Sequence, residues 1–304
     1  MELRHLRCFL AVAEELHFAR AAERLHIDQS PLSRTIKELE EELGARLFVR
    51  TTRSTQLTRA GRQLLEHVPR IFTAVKQARD SVKSAANGFC GQLRVALSDG
   101  VTPSRLPALL ARCREEDPEV EIRLFEVPLC QQIKGLYDDS YDAGFSMADD
   151  VGDGILVTPV WEDELMAAVP ARHPLLAYKR VPLEEVLRHP LVLCDPAICA
   201  GHAHQVDRVL RKHEMEPLIV QCVATHDVMM TFVSAGLALG LAGSAHITAS
   251  REPGVVGRPL AGEPPMLTTF LLRRDTEPSE MLTRFIERVG CIGSADGTGS
   301  AEDS

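Results

Sequence analysis

The sequence predicts an α/β protein in which a helix-turn-helix with a basic wing is joined, through one long helix, to a larger body of alternating strands and helices. Three observations predict this. Residues 18–58 carry two short amphipathic helical patterns and then an arginine-rich hairpin. Residues 59–87 carry an apolar heptad seam. From residue 92 onward, short apolar runs alternate with helical patterns.

In the first segment, Phe18, Ala21, Ala22 and Leu25 fall at helical spacing and give one apolar stripe. A tight turn follows at His26-Ile27-Asp28. Asp28 or Ser30 can cap the next helix, and Pro31 fits its first turn, where a missing N–H does no harm. In that helix Leu32, Ile36, Leu39 and Leu43 are expected to face inward. The opposite face presents Gln29, Ser30, Pro31, Ser33, Arg34 and Lys37, donors and contact groups of the kind that reach base edges and phosphates in a major groove. An ordinary helical pair with solvated charges is the plainer alternative, but the next stretch argues against it. Arg46, Arg50, Arg53, Arg59 and Arg62 follow with no acidic residue among them, and Leu47-Phe48-Val49 and Gln56-Leu57 read as two strands of a hairpin. Arg50 and Arg53 are then placed to hold the phosphate backbone.

After Thr58, a predicted N-cap, Leu64, Val68, Ile71, Val75, Ala78, Val82 and Ala85 repeat in alternating steps of four and three. A partner helix from a second copy would bury such a seam; packing on its own domain is the alternative. Pro69 predicts a kink rather than a break, because the seam continues in register beyond it. Asn87-Gly88 and Gly91 supply a hinge.

In the body, Gln92–Leu97, Val120–Val127 and Ala143–Phe145 read as strands, with helices at Leu106–Glu116 and Gln131–Tyr137 between them. Such alternation implies parallel pairing through crossover helices. A second set follows at Glu164–Val169, Leu183–Leu187, Leu191–Leu193, His204–His213, Ile219–Val223 and Val228–Ser234, and then Thr268–Leu272 and a helix at Ser279–Val289. Residues 293–304, rich in Gly, Ser, Asp and Ala, read as a disordered tail.

Charge divides along the same line. Residues 1–91 hold 15 Lys and Arg against 11 Asp and Glu, whereas the remainder holds 19 against 32. A basic head on an acidic body fits a nucleic-acid-binding module joined to something else. Apolar runs are too short to span a membrane and no signal peptide is visible, so a cytoplasmic protein is expected. The eight cysteines contain no C-x-x-C and read as reduced thiols. No G-x-S-x-G, phosphate loop or familiar metal motif is present, so an enzyme is not expected, and no cofactor is called for.

The opening MELRHLRCFLAVAEELHFARAAERLHIDQSPLSRTIKELEEELGARLFVRTTRSTQLTRAG resembles, without a gap, the N-terminal domain of LysR-type transcriptional regulators. Its wording is closest to the branch that controls aromatic and chloroaromatic catabolism. The resemblance implies a winged helix-turn-helix at 1–58, a dimerising linker at 59–88, and a two-lobed α/β effector-binding domain at 89–292 related to periplasmic binding proteins. Lobe I would hold about 92–161 and 266–291, and lobe II about 162–265. It further implies binding to double-stranded operator DNA as a dimer through the linker helix, assembling to a tetramer, a small-molecule co-inducer such as an aromatic or other organic acid, and contact with RNA polymerase.

A two-lobed body places its ligand between the lobes, at the carboxyl ends of strands. Position then nominates Ser98, Asp99, Gly100 and Thr102 on one wall, with Leu129 and Met147 nearby, and Gly201 and His202 on the other wall, completed by Thr225 to Val228. In the family the first segment holds the co-inducer carboxylate. Here Asp99 would repel an anion, Leu129 stands where aromatic-acid responders tend to have a hydroxyl, and Met147 stands where they often have an arginine. A different reading is a thiol- or metal-responsive factor sensing through Cys194, Cys199, His202 and His204, although their spacing matches no familiar zinc pattern. The plainer reading of these histidines is that they line the cleft.

Overall fold

The computed structural model describes residues 1–50, 55–98, 100, 105–213 and 215–294. Two compact units emerge, Met1–Asp80 and the chain from Ser81 onward.

In the first unit, α1 (Leu3–Glu15) opens with a reciprocal cap between Glu2 and His5. The helix-turn-helix is α2 (Phe18–Leu25) and α3 (Gln29–Leu43). Asp28 takes the extended backbone of an N-cap, and Gly44 closes α3 at φ +65°, a left-handed conformation that costs glycine little. Leu32, Ile36 and Leu39 are fully buried with Phe9, Val12 and Ala21, whereas Leu43, expected to face inward, is 41% exposed. The wing strands β1 (Phe48–Arg50) and β2 (Thr55–Leu57) pair antiparallel, Phe48 opposite Leu57. The ring of Phe48 sits 5.5 Å from that of Phe9 and 5.9 Å from that of Phe18, which fixes the wing to the helical core.

Thr58 caps the linker helix α4 (Arg59–Ala86), its hydroxyl accepting the amide of Gly61 at 3.0 Å. Gly61 must be glycine, because a Cβ there would lie 2.2 Å from the carbonyl oxygen of Leu47. As expected, α4 runs on through Pro69. The seam divides in a way the periodicity does not reveal. Val68 is fully buried, and Leu64 and Ile71 pack on the same winged core, while Val82 is 70% exposed. Its first half is therefore satisfied within the chain and only the second half lacks a cover.

In the second unit the strands are β3 (Gly91–Leu97), β4 (Val120–Glu126), β5 (Ala143–Ser146), β6 (Ile155–Pro170), β7 (Leu191–Cys194), β8 (Ile219–Val223), β9 (Leu239–Gly243), β10 (Val255–Pro259) and β11 (Met266–Arg274). The helices are α5 (Arg105–Glu116), α6 (Leu129–Tyr137), α7 (Leu183–Leu187), α8 (Ala200–Leu210), α9 (His226–Ser234), α10 (Ser244–Ser250) and α11 (Glu280–Ser294). Among the described residues the order is β4-β3-β5-β11-β6-β9-β7-β8, with β10 on the other edge of β6. The long β6 belongs to both lobes: residues 155–164 pair with β11, and residues 165–170 pair with β9 and β10. The chain passes from lobe I to lobe II along this one strand and returns at Met266. The β3–β4, β3–β5 and β7–β8 pairs are parallel, as the alternation predicted, and β7 also pairs parallel with β9, a strand the sequence did not reveal.

Lobe I is built around Phe145, stacked on Trp161 at 4.7 Å, with Phe285 of α11 against them. Lobe II packs Leu165, Val186, Leu191, Leu241 and their neighbours. Two helices begin earlier than the sequence suggested. The helix expected at His204–His213 spans Ala200–Leu210, and the helix expected from Val228 starts at His226, because Thr225 caps it through the amide of Val228 at 3.3 Å.

Candidate functional site

The outward face of α3 is set by the burial of Leu32, Ile36 and Leu39, which turns the other side of the helix to solvent. Gln29, Ser30, Pro31, Arg34 and Lys37 are exposed, and Ser33 is half-buried between them. Arg34 Nε donates to Glu38 Oε1 at 3.1 Å, and Lys37 Nζ lies 3.4 Å from Glu41 Oε1. Exposed i,i+4 pairs of this kind contribute little to stability. Arg50 ends β1 opposite Thr55, and Arg53 lies outside the described residues. Glu40, which the sequence did not single out, holds the wing in place. Its Oε1 accepts the amides of Leu47 at 2.7 Å and Phe48 at 3.1 Å.

In the second unit, the carboxyl ends of β3, β7, β8 and β9 converge. A cavity of about 460 Å³ opens there, with Ser98 and Gly100 of lobe I facing Cys199, Thr225, His226 and His246 of lobe II. Gly100 adopts φ +65°, and a Cβ on it would lie 2.8 Å from Nδ1 of His226. The lobes are braced near this point by Gln205 of α8. Its Nε2 donates to the carbonyls of Met147 at 2.6 Å and Thr268 at 2.8 Å, while its Oε1 accepts the Thr268 amide at 2.8 Å.

Of the residues nominated by sequence, Ser98 and Gly100 line this cavity, and Asp99 and Thr102 lie outside the described residues. Leu129 packs instead against the core beneath α6, and Met147 is 1% exposed, folded inward under Gln205. Gly201 and His202 belong to the buried face of α8, because the helix starts before them. His202 and His204 are two residues apart on that helix and so point to opposite sides: His202 is buried and His204 is exposed. The four-residue grouping of Cys194, Cys199, His202 and His204 is thus not assembled. Cys199 turns its thiol to the carbonyl of Ala224 at 3.4 Å.

A different cluster forms from elements far apart in sequence. His226, at the start of α9, meets the ring of His202 edge-on at 4.6 Å and stacks on His246 of α10 at 4.1 Å. Cys194, the last residue of β7, brings its sulfur within 3.8 Å of His226 Nε2. Burial pushes the pKa of His202 down to about 3 and carries His226 well below its usual value. Burial lowers His246 too, against the opposing pull of Asp163 and a backbone hydrogen bond to Gly100. All three imidazoles are therefore neutral at pH 7. Asp163 of β6 is committed elsewhere: it accepts the amide of Ala245 at 3.1 Å and the hydroxyl of Ser244, capping α10. The sequence signal was weak because the three histidines come from three different helices.

Comparison with known proteins places these two units in context. Residues 3–62 match the family model of bacterial regulatory helix-turn-helix proteins of the lysR family, and residues 86–291 match the LysR substrate binding domain. The uncharacterized HTH-type transcriptional regulator YnfL of Escherichia coli K12 is 35% identical over 79% of this chain and 82% of its own length. The HTH-type transcriptional regulator BenM of Acinetobacter baylyi is 32% identical over 79% of this chain and 80% of its own. The crystal structure of full-length CbnR with its target DNA superposes with a TM-score of 0.72 at 28% identity, covering 96% of this chain and all of that one.

Proposed function

The chain belongs to the LysR family of bacterial helix-turn-helix transcriptional regulators, and from that premise we propose how its residues divide the work. It binds operator DNA as an oligomer and changes promoter activity when a small co-inducer occupies the cavity between the lobes. In α3, Gln29 and Arg34 read bases, while Ser30, Pro31, Ser33 and Lys37 set the helix in the groove, and Arg50 and Arg53 of the wing hold phosphates. The oligomer is a tetramer built on linker-helix dimers, and RNA polymerase is the further partner at the promoter.

The observation that carries the effector reading is the cavity itself. It is lined from both lobes, at the carboxyl ends of parallel strands, by polar groups such as Ser98, Thr225 and His226 set among apolar ones such as Leu97, Val127 and Ile198. The N-terminal wording supports a place in the aromatic and chloroaromatic branch, with an organic acid as effector. Glu126 and Asp227 border the cavity, and no Lys or Arg is among its described lining residues. An acid bound here is therefore held by backbone amides and helix N-termini rather than by a guanidinium.

A thermal-shift screen of small aromatic and aliphatic acids identifies the class, since a ligand of the folded state alone raises the melting temperature. A reporter assay then locates the site. Gly100→Trp fills the cavity against His226 and brings the induction ratio to one, whereas Cys199→Ser leaves it near the wild-type value. Induction that survives Gly100→Trp and disappears in Cys199→Ser would move sensing to the thiol.

A further inference from the structure

We propose that Cys194, His202 and His226 form a binding site for one transition-metal ion of the zinc or cuprous class, buried within lobe II, with His226 shared with the cavity between the lobes. The claim goes beyond the effector reading and does not depend on it.

The geometry comes first. One ligand atom from each residue can be chosen so that all three lie within 4.8 Å of one another, with Cys194 Sγ and His226 Nε2 already 3.8 Å apart. With metal–sulfur near ~2.3 Å and metal–nitrogen near ~2.0 Å, a tetrahedral or trigonal ion needs donors roughly 3.3–3.8 Å apart. The donors, now within 4.8 Å of one another, would have to draw together by up to about 1 Å on binding.

Burial adds a second, independent observation. Residue His202 is 1% exposed, and neither ring nitrogen has a hydrogen-bond partner among the described residues. A neutral imidazole always carries one N–H and one bare nitrogen, and leaving both unsatisfied in a core is costly. An apolar side chain would fill the space without that cost, so the imidazole is retained for its lone pair. Nδ1 of His246 also has no hydrogen-bond partner among the described residues, which puts a further imidazole beside the set.

The donor types decide the class of ion. One thiol and two imidazoles, with no carboxylate among the three, suit zinc or copper(I) and discriminate against magnesium and calcium, which demand oxygen. Gly100 of lobe I lies directly over His226 and His246, so an ion beneath them acts on the seat of the opposite lobe.

The test uses the full-length protein, reduced and freed of metal, and cobalt(II) alone as the probe. One equivalent is expected to give a thiolate-to-cobalt charge-transfer band and intense tetrahedral visible bands, both erased by zinc. X-ray absorption of the zinc-loaded wild type is expected to show one sulfur among nitrogen neighbours. Cys194→Ser and His202→Gln should weaken cobalt binding by more than the ~10–100-fold that loss of a supporting partner costs. Cys222→Ser, at an exposed position on β8, should bind as the wild type does. Absence of a stoichiometric band, a sulfur-free zinc shell, or a band that outlives Cys194→Ser and vanishes in Cys222→Ser would each overturn the proposal. The absorption measurement decides the matter even if a buried variant fails to fold. A negative result leaves the effector reading standing, because that reading rests on the response of Gly100→Trp.

Discussion

Oε1 of Glu40 accepts the backbone amide of Leu47 at 2.7 Å, and from the same oxygen it also holds Phe48. One carboxylate on α3 thereby fixes the entry of the wing and ties it directly to the helix. Glu40→Ala should leave two partly buried amides without an acceptor and cost about 1–3 kcal/mol. Glu40→Gln keeps an acceptor oxygen and should retain most of that stability. Urea unfolding of the isolated variants checks this; equal destabilisation by Ala and Gln would show that charge, not the amide contact, is what matters.

On the same helix, Arg34 and Lys37 make different contributions. Arg34→Ala should cost about 1–3 kcal/mol of operator affinity and relax sequence preference at one position, as expected for a base contact. Lys37→Ala, Arg50→Ala and Arg53→Ala should weaken binding to all sequences and make the dependence on salt shallower. Because Arg34 is tied to Glu38 in the free protein, Glu38→Gln should strengthen binding. Titrations at several salt concentrations separate these effects. A changed base preference in Arg53→Ala at unaltered salt slope would remove the wing from phosphate duty.

The helix-turn-helix was legible because Leu32, Ile36 and Leu39 keep a strict helical period and all three are buried. Leu43 breaks the rule for a local reason: it sits in the last turn before Gly44, beyond the reach of the core. The stretch Leu239–Gly243, with α10 and β10 after it, was not read, since LGLAG offers no alternation and no helical stripe. Its burial on both faces is a tertiary fact. The cleft was half legible. Ser98 and Gly100 follow a readable strand, but His226 and His246 reach the cavity only because β8 and β9 lie side by side with β7 in one sheet. Sequence distance hides such neighbours. The pair His202 and His204 misled in the opposite direction, adjacent in the chain and divergent on the helix.

Lobe I carries an acid-sensitive tie between α5 and α11. Arg288, 8% exposed, donates through Nε to Glu116 at 2.6 Å and lies 2.7 Å from Asp117 through Nη2. Hydrogen bonds from Arg288 and Arg112 hold the Glu116 carboxyl below its usual pKa. A carboxylate with a lowered folded-state pKa stabilises the fold fully above its unfolded pKa, and that contribution fades as pH falls through the folded value. Arg288→Met should therefore be less stable than wild type at pH 7, with the difference shrinking between about pH 5 and pH 3. Urea midpoints across that range provide the measurement. A gap that stays constant down to pH 3 would assign the role of Arg288 to packing alone.

The second half of the linker seam makes the sharpest demand on assembly. Val68 and Ile71 are used by the winged core, so charged substitutions there would damage the fold and report nothing about partners. Val82 is 70% exposed, and Ala78, one heptad step before it, is exposed as well. A second copy of the seam would bury this valine together with Ala78. Val82→Glu should leave the melting of the monomer unit unchanged and shift the protein toward smaller species in sedimentation velocity. Operator affinity should fall with it, since one head grips only a half-site. Val68→Glu provides the contrast: it should unfold the first unit before any change in assembly can be read. If Val82→Glu sediments as the wild type does and binds operator equally well, the exposed half of the seam is not the interface, and the copies must meet through another surface instead.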